Sequence, residues 1–256
     1  AQAISGNTSF YNFTKTTNNQ VSINNAISIE NTLNIQDGIL ADGGNTITVL
    51  GDINNDGTHD WGDTGLGLYL NGTTQQTINT SGVFGKITLD NTSGAHFPTE
   101  AASIVIDDAV EFRNGVLDIG KNLMELDEDA VFIEAAGYSE NNMIQTNLSF
   151  TDNGVKKEFP AITATTEFIF PIGSEGKYTP IELSIDNIDA GGSIRVKAAD
   201  EIQSTITDDN DECNEFDDTQ NVLQYHWVMD AENVSNFTAT ALMRYYEEDA
   251  LFDNTH

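Results

Sequence analysis

Cysteine is nearly absent from this 256-residue chain: Cys213 stands alone, which excludes an internal disulfide framework and any paired-cysteine zinc site. Basic residues are scarce too, with 10 Lys and Arg against 41 Asp and Glu and a formal charge of −31. Such a field repels phosphate backbones and anionic headgroups, so nucleic acid and membrane surfaces are poor partners. No apolar run approaches the roughly 20 residues that span a bilayer. The opening AQAISGNTSF lacks the charged and apolar regions of a signal peptide, and the expectation is an exported chain whose signal has been removed. Histidine occurs as His59, His96, His226 and His256, without HxH or HExxH spacing, so zinc is not expected. GxSxG, Walker and GxGxxG elements are missing, and DGGNT and SGVFGK read as turn glycines. Helical periodicity is missing as well; only AADEIQS (198–204) offers a helical turn.

What the chain has is short apolar pairs at alternate positions: Val21 and Ile23, Ile27 and Ile29, Leu33 and Ile35, Ile47 and Val49, separated by Asn, Asp and Gly. Strands of three or four residues recurring every six to eight residues suit a narrow solenoid better than a sandwich of long hairpins. Laying residues 27–45 over 104–122, an offset of 77, matches Ile27 with Ile104, Ile29 with Ile106, Gly38 with Gly115, Leu40 with Leu117 and Gly43 with Gly120. Matched turn glycines and matched alternation indicate a repeated supersecondary unit. Abundant Asn predicts side-chain ladders at the bends. Later, FIFPIGSEGKYTPIELSIDN (168–187), VLQYHWVMD and FTATALMRYY are longer and alternate like antiparallel strands. The expected fold is all-β: a right-handed parallel β-helix over 1–160, then the start of an antiparallel, immunoglobulin-like β-sandwich over 161–256. The last residues, RYYEEDALFDNTH, predict a continuation beyond residue 256.

Within 51–63, GDINNDGTHDWGD fills every ligand position of an EF-type calcium loop: Asp52, Asn54, Asp56, Thr58 through its carbonyl, Asp60 and Asp63, with Gly57 at the sharp turn. Calcium is therefore the expected cofactor. The flanks NTITVL and GLGLYLNG read as strands, so the ion would rivet a loop between coils rather than swing helices. His59, at the eighth position, would point away from it. The competing reading is a solvated Asp/Asn/Gly turn. The cluster Asp208, Asp209, Asp211, Glu212, Glu215, Asp217 and Asp218 lacks the glycine and the spacing and reads as a solvated loop, as do Glu247, Glu248 and Asp249. Glu111 and Arg113 fall on one side of a predicted strand near Asp107 and Asp108, the one arrangement that resembles a catalytic cleft. Surface pairing explains it equally well, since the matched positions Asn34 and Gln36 carry no such chemistry. Trp61, Tyr225, Trp227, Tyr245 and Tyr246 offer a sugar-stacking surface, with core packing expected for about half of them.

LYLNGTTQQTI, FGKITLDN, NGVLDIGKNLMEL, GVKKEF, FIFPIGSEGKYTPIELSI and QYHWVMD together resemble the repetitive secreted and cell-surface proteins of Bacteroidetes. That resemblance implies adhesin-like, β-helical modules exported by type IX secretion, often followed by immunoglobulin-like domains. The expectation is a non-enzymatic, extracellular, calcium-stabilised solenoid of an adhesin or filament, meeting a host surface, a polysaccharide or copies of itself. The alternatives are a carbohydrate-binding or polysaccharide-cleaving module, and a subunit that polymerises through the open strand edges of its end coils.

Overall fold

The computed structural model describes residues 2–98, 102–146, 149, 151–202 and 223–250. The described chain is almost all β and winds into a β-solenoid of about six turns. Each coil has three sides, because an apolar pair can face inward for only three or four residues before Asn, Asp or Gly bends the chain. On the first side, Ile27, Ile47, Leu68, Ile87, Val110 and Phe132 stack in parallel register, so a coil takes 19 to 23 residues there. On the second, Phe13, Leu33, Ile53 and Ile78 form one column. Gln76, Ala95, Leu117, Ile144 and Ile172 continue that side. On the third, Val21, Leu40, His59, Phe84, Ile106 and Leu126 follow one another. Most of these inward side chains are fully buried and belong to a single apolar core that runs from Phe13 to Tyr225.

The offset of 77 turns out to relate different sides. Ile27 to Ile29 lie on the first side, whereas Ile104 to Ile106 stack between Phe84 and Leu126 on the third. A span of 77 residues is not a whole number of coils, yet it aligns because every side uses the same inward pair and polar corner. The corners do use asparagine. Nδ2 of buried Asn55 donates to Val83 O (2.9 Å), that of Asn91 to Thr74 O (2.8 Å) and that of Asn122 to Phe97 O (3.1 Å). These bonds satisfy backbone carbonyls that a bend would leave orphaned inside. Side-chain ladders occur on the outer faces, where Asn31 donates to Asn12 (2.8 Å) and Asn79 to Asn54 (2.9 Å).

Past residue 153 the direction of pairing changes. Gly154–Phe159 stacks in parallel on Leu123–Leu126 but pairs antiparallel with Gly192–Ala199, which pairs antiparallel with His226–Glu232. A separate antiparallel sheet joins Thr166–Phe170, Ile181–Asn187 and Thr238–Met243. The antiparallel strands expected after residue 160 therefore form, with one sheet growing directly out of the solenoid. Parallel stacking persists as far as Ile172 on Ile144. Ala198 and Ala199 of the expected helical turn end a strand, Asp200 to Ile202 follow without helix, and its last residues lie outside the described set. So do Cys213, His256 and the acidic cluster from Asp208 to Asp218.

Candidate functional site

The segment 51–63 folds as a corner of the solenoid. Asp52–Asn55 and Thr58–Asp60 are both strands of the parallel stack. Residues spaced by two on a strand share a face, so Asp52, Asn54 and Asp56 all point outward. Each hands an oxygen to the next coil: Asp52 Oδ1 accepts from Thr77 N (2.8 Å), Asn54 Oδ1 from Asn79 Nδ2 (2.9 Å) and Asp56 Oδ1 from Ser81 Oγ (2.7 Å). Thr58 and Asp60 lie on the following strand, and Asp63 lies beyond it with φ of 60°. The six positions are thus spread over two strands and the turn that follows them. Among the described residues no group of three or more His, Cys, Asp or Glu is placed to hold a metal ion. Gly57 has a structural reason here: a Cβ would sit 2.6 Å from Gly38 O in the coil below.

His59 points inward, against the expectation for the eighth position of a calcium loop. It fills the third-side column between Leu40 and Phe84, and its Nε2 lies 3.1 Å from Asp42 Oδ2 with both side chains fully buried. Asp42 Oδ1 accepts the N–H groups of Gly44 (2.8 Å) and Gly62 (2.9 Å), so one carboxylate ties two corners and an imidazole together. His59 Nδ1 is buried without a partner among the described residues. An ionised carboxylate only accepts hydrogen bonds, so opposite one Nε2 is the donor.

Glu111 and Arg113 do share an outward face, 2.6 Å apart, but Glu111 is buried and also bonds Lys86 Nζ at 2.7 Å. Burial pushes the Glu111 carboxyl up, and the Lys86 and Arg113 partners outweigh it, leaving a net downward shift. Two cations held against one carboxylate favour its ionised form. Lys86 also stacks over Trp61 (4.7 Å to the centroid) and donates to Gly65 O (3.2 Å). Asp107 and Asp108 are pushed up by burial first, then by neighbouring carboxylates: Asp127 and Asp60 for Asp107, and Asp107, Asp63 and Asp60 for Asp108.

The aromatic residues do not assemble into one surface. Trp61 donates Nε1–H to Thr64 O (2.6 Å), Trp227 donates to Thr179 O (3.0 Å), Tyr225 is buried with its hydroxyl on Thr179, and Tyr246 accepts Tyr178 N–H (3.2 Å). Tyr245 alone of the five is exposed. The reading of 247–249 as wholly exposed is corrected at Asp249, which is buried against Lys177, because the one-turn 3-10 helix rotates it inward.

Two cavities are lined by side chains that could meet a ligand. One, of about 440 Å³, lies beside Phe159, Pro160, Ile162 and Phe168, with Lys157 in its wall. Burial pulls the Lys157 ammonium down to about 8 although acidic neighbours oppose it, and its Nζ is committed to Asp127 O (2.6 Å) and Glu128 O (2.5 Å). The other, of about 360 Å³, is an open groove on the second side, with Gly94 and Val116 as its floor and Gln75, Ser93, Asn114, Asp118, Asn141 and Gln145 around it. Sequence reading missed this groove, because its residues come from four coils and only the register brings them together. Comparison with known protein families, with curated proteins and with solved structures returns no match for this chain.

Proposed function

We propose that this chain is a non-enzymatic structural module of a secreted or cell-surface protein, a stiff β-solenoid that sets an adhesive face at a distance from its anchorage. The observation that carries the reading is the uninterrupted parallel register of the first side, from Ile27 to Phe132, over one continuous core. Stacked coils resist bending because each coil is hydrogen-bonded to its neighbours along its sides, and each coil adds length without a new core. Outward carboxylates keep such a rod soluble and self-repelling. The chemistry-bearing groups support the same reading: Glu111 is locked between cations, and the His59–Asp42 pair faces the core. The resemblance to secreted Bacteroidetes surface modules agrees with it.

The test is retention under flow. Beads carrying the protein should be held on surfaces coated with cell-wall polysaccharide, matrix protein or whole cells more strongly than bare beads. Retention on none of them sinks the adhesive reading. Release of new reducing ends from the polysaccharides would replace it with a cleaving enzyme.

A further inference from the structure

The groove on the second side differs chemically from the rest of the surface. The chain carries a net charge of −31, yet among the described residues Asp118 is the only charged side chain lining this groove. The remainder are amides and hydroxyls around a small apolar floor. Register explains the shape. Gln76 pairs with Ala95, Ala95 with Leu117 and Leu117 with Ile144, so Gln75, Gly94 and Val116 stand side by side on consecutive coils, with Asn141 and Gln145 on the next. With coils about 4.8 Å apart, four of them span roughly 14 Å. That length suits a run of linked units better than a single small molecule. At Gly94 the φ of 74° and the close approach of Val116 O (2.6 Å from a notional Cβ) keep a side chain out of the floor.

Among the described residues, the side-chain amides of Gln75, Asn114 and Gln145 have no hydrogen-bond partner, unlike the corner amides of Asn55, Asn91 and Asn122. An amide presents a donor and an acceptor together, as a sugar hydroxyl does. Asp118 already accepts Gly120 N–H at Oδ1 (2.9 Å), which holds its carboxylate in place and leaves Oδ2 to accept from hydroxyl groups. Val116 offers the apolar contact that the C–H face of a pyranose requires. Anionic polymers are opposed by the overall field, and a polycation would be drawn to the carboxylate-rich faces instead. We propose that this groove binds an extended, uncharged polysaccharide, the chain lying along the solenoid axis with its hydroxyls on the amides of Gln75, Asn114, Asn141 and Gln145. This deepens the adhesive reading and rests on it for its role. With no aromatic platform among the described residues of the groove, each site is weak, and strength comes from many sites on one polymer.

The experiment titrates the protein with cellohexaose, xylohexaose and mannohexaose, and with hexagalacturonate as the anionic control, following amide signals by NMR. At least one neutral hexasaccharide should shift residues 92–94, 114–118 and 141–145 with a Kd below about 1 mM. The double variant Asn114→Ala, Gln145→Ala should weaken that binding by about tenfold with an unchanged melting temperature, since neither amide has a partner to lose. Hexagalacturonate binding as tightly, equal binding by the variant, or no shift with any neutral sugar overturns the proposal. The flow assay separates the two ideas. If wild-type and variant beads are held equally, adhesion stands through another face and the groove falls. If oligosaccharide binds the groove but no beads are held, the adhesive reading falls instead.

Discussion

Between Ile27 and Leu89 the buried side chains are aliphatic apart from Phe84 and the polar Asp42, Asn55, His59, Gln76, Lys86 and Thr88, whereas from Phe112 onward large aromatic rings join them. Phe112 meets Phe132 (6.3 Å) and Tyr138 (5.8 Å), and Phe168 meets Phe132 (5.8 Å), Phe159 (5.4 Å) and Phe170 (4.8 Å). The reason is geometric. A repeating rung needs side chains that fit identically above and below, and branched aliphatic residues do this on a pleated face. Where parallel stacking gives way to antiparallel strands the rungs no longer repeat, and large rings fill the irregular volume, gaining edge-to-face contacts besides area. The body is stabilised by repetition and the C-terminal end by a plug.

The largest effect is expected where the body departs from its own rule. Asp42→Ala strands the N–H groups of Gly44 and Gly62 and the buried His59 imidazole, at a cost of about 4 kcal/mol. Urea unfolding should show this loss, and hydrogen exchange should place it in the coils from Val21 to Phe84. Exchange rising equally in residues 223–250 would mean that body and end unfold as one unit. Phe170→Ala tests the other side and should cost about 3 kcal/mol. Exchange should rise in residues 154–250 while the columns from Ile27 to Leu89 stay protected. A body that unzips with it would make the aromatic end a clamp on the whole rod.

The smallest effect concerns the acidic corner. Asp52→Ala removes the acceptor of Thr77 N–H and should cost about 1 kcal/mol, while Asp52→Asn keeps an oxygen there and should change stability by less than about 0.5 kcal/mol. Calcium provides the sharper arm. If the oxygens serve only the neighbouring coil, calcium chloride and sodium chloride at equal ionic strength shift wild type and Asp52→Asn alike. A calcium-specific rise of several degrees, lost in Asp52→Asn, would assign the ion to this corner.

The solenoid was legible because its signal is local: alternate apolar residues and Gly/Asn corners are written within each side. The assignment of sides was not, since all three share that signal and the offset of 77 matches Ile27 with Ile104 across two of them. The acidic corner shows the same ambiguity at shorter range. Calcium loops take ligands from alternate positions, and a strand shows alternate positions on one face, so DINND fits both patterns, and stacking adds only that Asp52 meets Thr77 and Asp56 meets Ser81. His59 left one faint trace. Val21, Leu40 and His59 fall at equal spacing of 19 along one column, which would have placed the imidazole inside. The groove left none, because Gln75 and Gln145 are distant in sequence and ordinary in kind.

The scarce cations carry a last consequence. Lys15, Lys86, Lys157 and Lys197 are all buried to 9% exposure or less, and each ammonium donates to a backbone carbonyl: Thr17, Gly65, Asp127 and Asp152 respectively. A trypsin-like protease cuts after basic side chains, and in 256 residues it meets only 10, four of them packed away. The same scarcity of cations therefore leaves a trypsin-like protease at most six exposed or half-buried sites on the folded chain.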